Sequence, residues 1–151
     1  MAETAIQDLY PDDVAQCYGC GRLNEAGHQL KSLPTDGGMQ ARFSPRPEHT
    51  AILGYVYGGL IASLIDCHGT GTAAWAARTE DDPAPRFVTA ALEVKYVAPT
   101  PLGPELVLDA TVAEKGARKV VVDVTVKAEG ALTAKGRVVA VRMPESMIER
   151  P

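Results

Sequence analysis

The stretch from Gly54 to Gly69 constrains this chain most, because it joins paired glycines, an apolar run and a single carboxylate. Apolar residues recur at the three- and four-residue spacing of one helix face, which predicts a buried helix over about 55–77. Small neighbours leave room for a backbone or a ligand to approach the carboxylate of Asp66. The small residues at three- and four-residue steps from Asp66, on the same side of the predicted helix, are Gly59, Ala62, Ser63, Gly69, Thr70 and Ala73.

Asp66 has two interpretations on spacing alone. It could be an ordinary helical carboxylate that faces water. Its neighbours Ile61, Leu64 and Ile65 favour a paired or functional group, since a carboxylate among apolar side chains costs free energy unless it is compensated. Gly58 and the glycine after it fall at the predicted helix start, where amides lack intrahelical acceptors and the helix dipole is positive.

The composition excludes several classes of protein. A chain of 151 residues suits one domain with its own core. The net charge of −4 argues against nucleic-acid binding, and no apolar run approaches the roughly 20 residues of a membrane span. No basic region followed by an apolar one opens the sequence, and three cysteines make no disulfide framework. We therefore expect a cytoplasmic protein without a membrane or nucleic-acid partner.

The Cys-x-x-Cys pair of Cys17 and Cys20 admits three interpretations, which are a structural turn, a redox pair and half of a zinc site. A structural turn is favoured, because the glycines at 19 and 21 do not resemble the helix start of a redox motif. A zinc site would need further ligands at irregular spacing, so no metal is assigned. The candidates for such ligands are His28, His49, Cys67 and His68.

Period-two patterns predict the strands. The last four predicted strands follow one another with short links, which predicts an antiparallel meander. One long central helix wrapped by a curved antiparallel sheet is an α+β fold, and its uncovered edges predict a two-fold dimer. The predicted strands cover residues 29–33, 39–43, 91–96, 106–113, 120–126 and 132–143.

Several of these residues together resemble the hotdog-fold acyl-CoA thioesterases. They are the Gly58–Gly59 pair, Asp66 seven residues later, Thr89, and the segment 96–103. The resemblance points to the branch that contains the phenylacetate-degradation and human acyl-CoA thioesterases. It runs from residue 17 to about 143, so we expect an arm over 1–16, a hotdog domain over 17–143 and a tail over 144–151.

The resemblance implies hydrolysis of an acyl-CoA thioester to a free acid and CoA, without a cofactor. Asp66 would act as nucleophile or as general base on water, the Gly58 N–H would polarise the thioester carbonyl, and Thr89 would orient the water. In related enzymes the carboxylate and the amide come from opposite subunits. The resemblance therefore implies a homodimer, or a homotetramer of paired dimers, with the site at the subunit interface.

Two departures from the family pattern keep a second function open. Tyr57 stands where relatives carry a histidine, and a tyrosine is not a base at neutral pH. Ala51 stands where some relatives carry an asparagine. The alternative is a non-catalytic acyl-CoA binding protein on the same fold. A hotdog hydratase ranks lower, because the loop 45–54 has a histidine but no aspartate.

Further residues are assigned to the substrate or to structure. Tyr57, Gly59, Ser63 and His49 are expected to contact the substrate. His68 lies about 200° around the helix from Asp66, which favours a structural or interface role. A solvated turn is the favoured interpretation of one basic cluster, with binding of the CoA phosphates as its alternative. That cluster contains Lys115, Arg118 and Lys119.

Overall fold

A 20-residue helix lies across one antiparallel sheet in the computed structural model, which describes residues 3–148. Short 3-10 turns cover Ile6–Leu9, Asp12–Val14 and Glu145–Met147. Residues 1–2 of the expected arm and 149–151 of the expected tail lie outside the described part. The regular elements are β1 (Ser32–Thr35), β2 (Gly38–Phe43), α1 (Gly58–Ala77), β3 (Phe87–Tyr96), β4 (Leu106–Lys115), β5 (Lys119–Ala128) and β6 (Ala131–Arg142).

Helix α1 forms the centre of the fold, as its apolar periodicity predicts. It begins at Gly58, three residues later than expected, because Tyr57 has an extended ψ of 129° and stands at the N-cap. Leu64 and Ile65 are fully buried against the sheet. Each fully buried aliphatic side chain of this size contributes roughly 1.5–3 kcal/mol. Among residues 3–148, no helix is both long and apolar enough to cross a bilayer.

The predicted four-strand meander is wrong for its first strand. The strand order in the sheet is β1-β2-β4-β5-β6-β3, so β4, β5 and β6 form a meander while β3 pairs with β6 at the far edge. The link from β3 to β4 contains Pro99 and Pro101, which have no N–H for a hairpin ladder. It binds instead to the segment before α1, where the Val56 N–H donates to the Thr100 carbonyl at 2.9 Å.

The N-terminal segment joins the core through a buried polar network. The Gln7 amide donates to Ser32 Oγ at 3.0 Å, and Ser32 Oγ is 2.7 Å from His68 Nδ1. The other ring nitrogen of His68 is 3.2 Å from the Met39 carbonyl oxygen. Burial lowers the pKa of His68 to about 4, so this residue is neutral at pH 7. The structural interpretation of His68 is confirmed.

Candidate active site

Asp66 and Thr89 meet between α1 and the edge strand β3. Thr89 Oγ1 donates a hydrogen bond to Asp66 Oδ1. Burial raises the pKa of Asp66, and the hydrogen bond from Thr89 partly opposes that effect. The carboxylate is half-buried, whereas Thr89 is exposed on its strand. A carboxylate with a raised pKa, fixed by one hydroxyl and open on one side, has the properties of a general base.

A β-bulge places Thr89 on the helix side of the sheet. The register of β3 on β6 shifts between Thr89 and Ala91, so Thr89 lies opposite Ala140 while Leu92 lies opposite Val138. Directly opposed residues of antiparallel strands share a face; both of these partners are fully buried, and Val138 lies against Gly69 of α1. Uninterrupted alternation would have turned Thr89 away from Leu92. The bulge therefore aims the hydroxyl at Asp66.

The start of α1 forms the second part of the site. Gly58 is the first helical residue, and Tyr57 at the N-cap makes no capping hydrogen bond with its side chain. Tyr96 Oη donates to the Gly58 carbonyl at 2.7 Å, and the Tyr57 ring lies over Gly59. Burial and the neighbouring Tyr57 raise the pKa of Tyr96, so the Tyr96 phenol is neutral at pH 7. The first amides of this helix lie at the positive end of its dipole and can stabilise an anionic oxygen.

A largely apolar groove of about 630 Å³ opens beside the helix start. The groove runs between the segment before α1, the first helical turn and the link after β3. A groove with this lining suits an apolar part of a ligand. Its lining includes Ala51, Ile52, Tyr55, Val56, Gly58, Ile61 and Tyr96.

Ser63 and His49 occupy different surroundings. Ser63 Oγ donates to the Leu60 carbonyl at 2.7 Å, one turn before Asp66 on the same helix. The His49 ring packs edge-on against His28 at a centroid distance of 5.2 Å, and its Nδ1 accepts the Arg46 N–H at 2.9 Å. The His49 carbonyl accepts the Tyr57 N–H at 2.8 Å. In this chain His49 therefore supports the N-cap through its backbone, and its imidazole belongs to a ring cluster.

Two further residues lie near the site and have no signal in the sequence pattern. Tyr96 lies within the segment that carries the resemblance, but no spacing rule connects it to Gly58. Arg86 follows an irregular loop, and its guanidinium acts electrostatically on Asp66 and stacks on the Tyr10 ring at 4.8 Å. No pattern in the sequence indicates that Arg86 lies near Asp66.

The basic residues Lys115, Arg118 and Lys119 surround the β4–β5 turn and are exposed, as their turn-like sequence predicts.

The sulfur atoms of Cys17, Cys20 and Cys67 form the one cluster of metal-ligand type found in the described part of the chain. They lie within 4.8 Å of one another. Hydrogen bonds from the neighbouring thiols and amides hold the pKa of Cys17 well below its usual range. Interaction with Cys17 raises the pKa of Cys20 to about 12.

A long helix laid across a six-stranded antiparallel sheet, in this strand order, is the hotdog fold, as expected from the sequence. Residues 53–140, more than half of the chain, match the thioesterase superfamily. The chain belongs to the thioesterase superfamily.

Individual proteins of known sequence or structure are also similar to this chain. A crystal structure of a thioesterase superfamily protein from Shewanella loihica is 50% identical, with a TM-score of 0.71; the match covers 89% of this chain and all of that one. Human acyl-coenzyme A thioesterase 13 is 35% identical over 92 residues, which are 60% of this chain and 62% of the human protein. A Bacillus halodurans protein solved with CoA is 24% identical, with a TM-score of 0.66, over 78% of this chain and 76% of that one.

Proposed function

We propose that this protein hydrolyses an acyl-CoA thioester, with Asp66 as the general base. The observation that carries the proposal is the half-buried Asp66 carboxylate, held by Thr89 on one oxygen, in a helix that starts with uncapped amides. The related human protein is named as an acyl-coenzyme A thioesterase, and the Bacillus halodurans relative was solved with CoA. The match spans less than two thirds of the human protein.

The two halves of this site cannot act on one carbonyl within a single chain. Gly58 and Asp66 are eight residues apart on one helix, which separates them by about 12 Å along its axis. An oxyanion donor and a base acting on the same carbon must lie within about 3 Å of the reacting atoms. The Asp66 of one protomer therefore works with the Gly58 N–H of its partner.

The exposed edge of the sheet supports this two-chain arrangement. Strand β3 is an edge strand, its outer side has no neighbouring strand within residues 3–148, and Asp66 lies beneath it. Apolar side chains are exposed around that edge and before the helix, where a partner would cover them. They include Ile52, Leu53, Tyr55, Tyr57, Leu92, Tyr96 and Val97. A homodimer, or a tetramer of two such dimers, in the cytoplasm is part of the proposal.

The chemistry follows from the groups that surround the carbonyl. The thioester carbonyl accepts the partner's helix-start amide, and a water molecule is aligned by Asp66 and the free lone pairs of Thr89 Oγ1. Asp66 removes a proton as the water oxygen bonds to the carbonyl carbon. The amide stabilises the resulting oxyanion, a contribution of about 3 kcal/mol in comparable sites. The C–S bond then breaks, the acid leaves, and the CoA thiolate takes up the proton.

Thiol release from short, medium, long and aromatic acyl-CoAs tests the activity. At least one substrate is expected to reach a kcat/KM of about 10⁴ M⁻¹ s⁻¹ or more, in the usual range of enzymes. Saturable binding by calorimetry without thiol release would contradict hydrolysis. That result would make the protein an acyl-CoA binding protein, and the substitutions at Tyr57 and Ala51 would then be the reason.

Replacing Thr89 with valine is expected to lower kcat about tenfold and leave KM nearly unchanged, since the hydroxyl orients Asp66 and the water rather than the substrate. Thr89→Ser keeps the hydroxyl and should restore most of the activity. Thr111→Val, at an exposed threonine of β4, is the matched control and should retain full turnover. Equal activities for Thr89→Val and Thr111→Val would remove Thr89 from the mechanism.

A further inference from the structure

All three cysteines of the chain meet at one place in the fold. Cys17 and Cys20 come from a turn after the N-terminal segment, and Cys67 comes from the middle of α1. The sulfur atoms of Cys17 and Cys67 are 3.8 Å apart, and all three lie within 4.8 Å of one another. Tetrahedral zinc binds thiolates at about 2.3 Å, which sets ligand sulfurs about 3.8 Å apart. The thiols therefore stand close to the spacing of three vertices of a zinc site.

The turn that carries the first two cysteines packs closely against α1. The Gly21 N–H donates to the Cys17 carbonyl at 2.7 Å, which closes the turn. A Cβ at Gly19 would lie 2.3 Å from Cys67 Sγ. Only glycine lets the turn approach the helix this closely.

The surroundings suit a buried thiolate site of low net charge. Cys20 and Cys67 are buried and Cys17 is half-buried. Three thiolates and one Zn²⁺ leave a single negative charge, and the Arg86 guanidinium acts electrostatically on Cys20 from its place over the Tyr10 ring. The buried Tyr10 hydroxyl has no hydrogen-bond partner among the described residues and interacts electrostatically with all three thiols.

We propose that Cys17, Cys20 and Cys67 bind one zinc ion through three thiolates, with the fourth position left to water or an added ligand. A disulfide would use only two of the thiols and leave the third reduced and unpaired. Bound zinc would fasten the 17–21 turn to α1 directly beside Asp66. Because the turn and the helix meet only in the folded chain, the binding free energy of the ion would also be folding free energy.

Metal analysis of the full chain, purified without an affinity tag and under reducing conditions, tests this proposal. We expect about one zinc per chain. Exchange for Co²⁺ should give a thiolate-to-cobalt charge-transfer band in the near ultraviolet and the visible bands of a tetrahedral site. Cys17→Ser, at the half-buried position, should weaken zinc binding by at least about a hundredfold in competition with a chromophoric chelator.

The control variant and the opposing outcomes separate the alternatives. His49→Gln removes a histidine that the sequence offered as a ligand, and it should retain the zinc and the cobalt spectrum. Cys20→Ser gives a second ligand variant if Cys17→Ser fails to fold. A metal-free wild type without the cobalt bands, whose three thiols all react with Ellman's reagent, would overturn the proposal. A metal-free chain that is purified without reductant and whose mass is lower by two hydrogens would overturn it in favour of a disulfide.

Discussion

Replacing Asp66 with asparagine is expected to lower kcat for acyl-CoA hydrolysis by about a hundredfold or more, the usual contribution of a positioned general base. Asparagine has nearly the same shape, and its side-chain oxygen can still accept the hydrogen bond from Thr89. The fold should therefore persist while the base is lost. Thiol release under saturating substrate measures the effect, and thermal unfolding of the same sample checks the fold.

Asp123→Asn is the matched control for this experiment. Asp123 lies on β5 and pairs with Arg137 of β6 at 2.7 Å, on the sheet face turned away from α1. Losing that solvent-accessible ion pair should change stability little and leave turnover unchanged, because water and salt screen exposed charges. Wild-type turnover in Asp66→Asn would sink the proposed base. A similar loss in both variants would trace the effect to folding rather than chemistry.

The helix was the part of this fold most open to prediction. Its apolar spacing requires one buried face over several turns, and no strand pattern competes with it between Gly58 and Ala77. The period-two pattern likewise predicted β4, β5 and β6, whose alternating valines and polar residues match a sheet with one buried face. Local periodicity was enough for these elements, because a residue in them is buried or exposed according to which face of the helix or sheet it lies on.

Strand β3 shows where local periodicity fails. Its neighbours are decided by the prolines of the following link and by the sheet closing around α1, neither of which changes the pattern of β3 itself. The bulge before Ala91 likewise leaves no mark in the alternation, yet it decides that Thr89 faces Asp66. Thr89 entered the predicted site through resemblance to related enzymes, and its physical reason became visible only in the register.

The sequence pattern does not predict that Cys17 and Cys67 lie in contact, and the reason is a different one. Cys17 and Cys67 are separated by 50 positions, and the contact between them depends on how the N-terminal segment packs on α1. That segment contains Ile6 and Tyr10, both buried, although its polar and acidic sequence predicts a loose arm or a short helix packed on the surface. Spacing rules for metal sites work when ligands share a local motif. Here only two of the three thiols share one.

Gly69 is a point of close contact between α1 and β6, and filling it should produce a large loss of stability. A Cβ at Gly69 would lie 2.4 Å from Val138 Cγ2 and 2.7 Å from its Cβ, and Val138 is fully buried in β6. Neither the helix backbone nor a β-branched side chain can yield easily. Gly69→Val is expected to destabilise the fold by about 3 kcal/mol, the upper end of overpacking effects. Thermal unfolding should show a decrease in Tm of about 10 °C.

A substitution at Val138 tests whether the loss of stability comes from a steric clash. If the loss comes from the clash, Val138→Ala should be less damaging in the Gly69→Val background than in wild type, and a double-mutant cycle measures that coupling. Gly37→Val is the matched control, because Gly37 lies in the β1–β2 turn and a Cβ added there would have no atom within 4 Å. This control should change stability by about 0.5 kcal/mol or less. Equal losses at Gly37 and Gly69, or strict additivity with Val138→Ala, would mean that helix α1 does not rest on β6 through this contact.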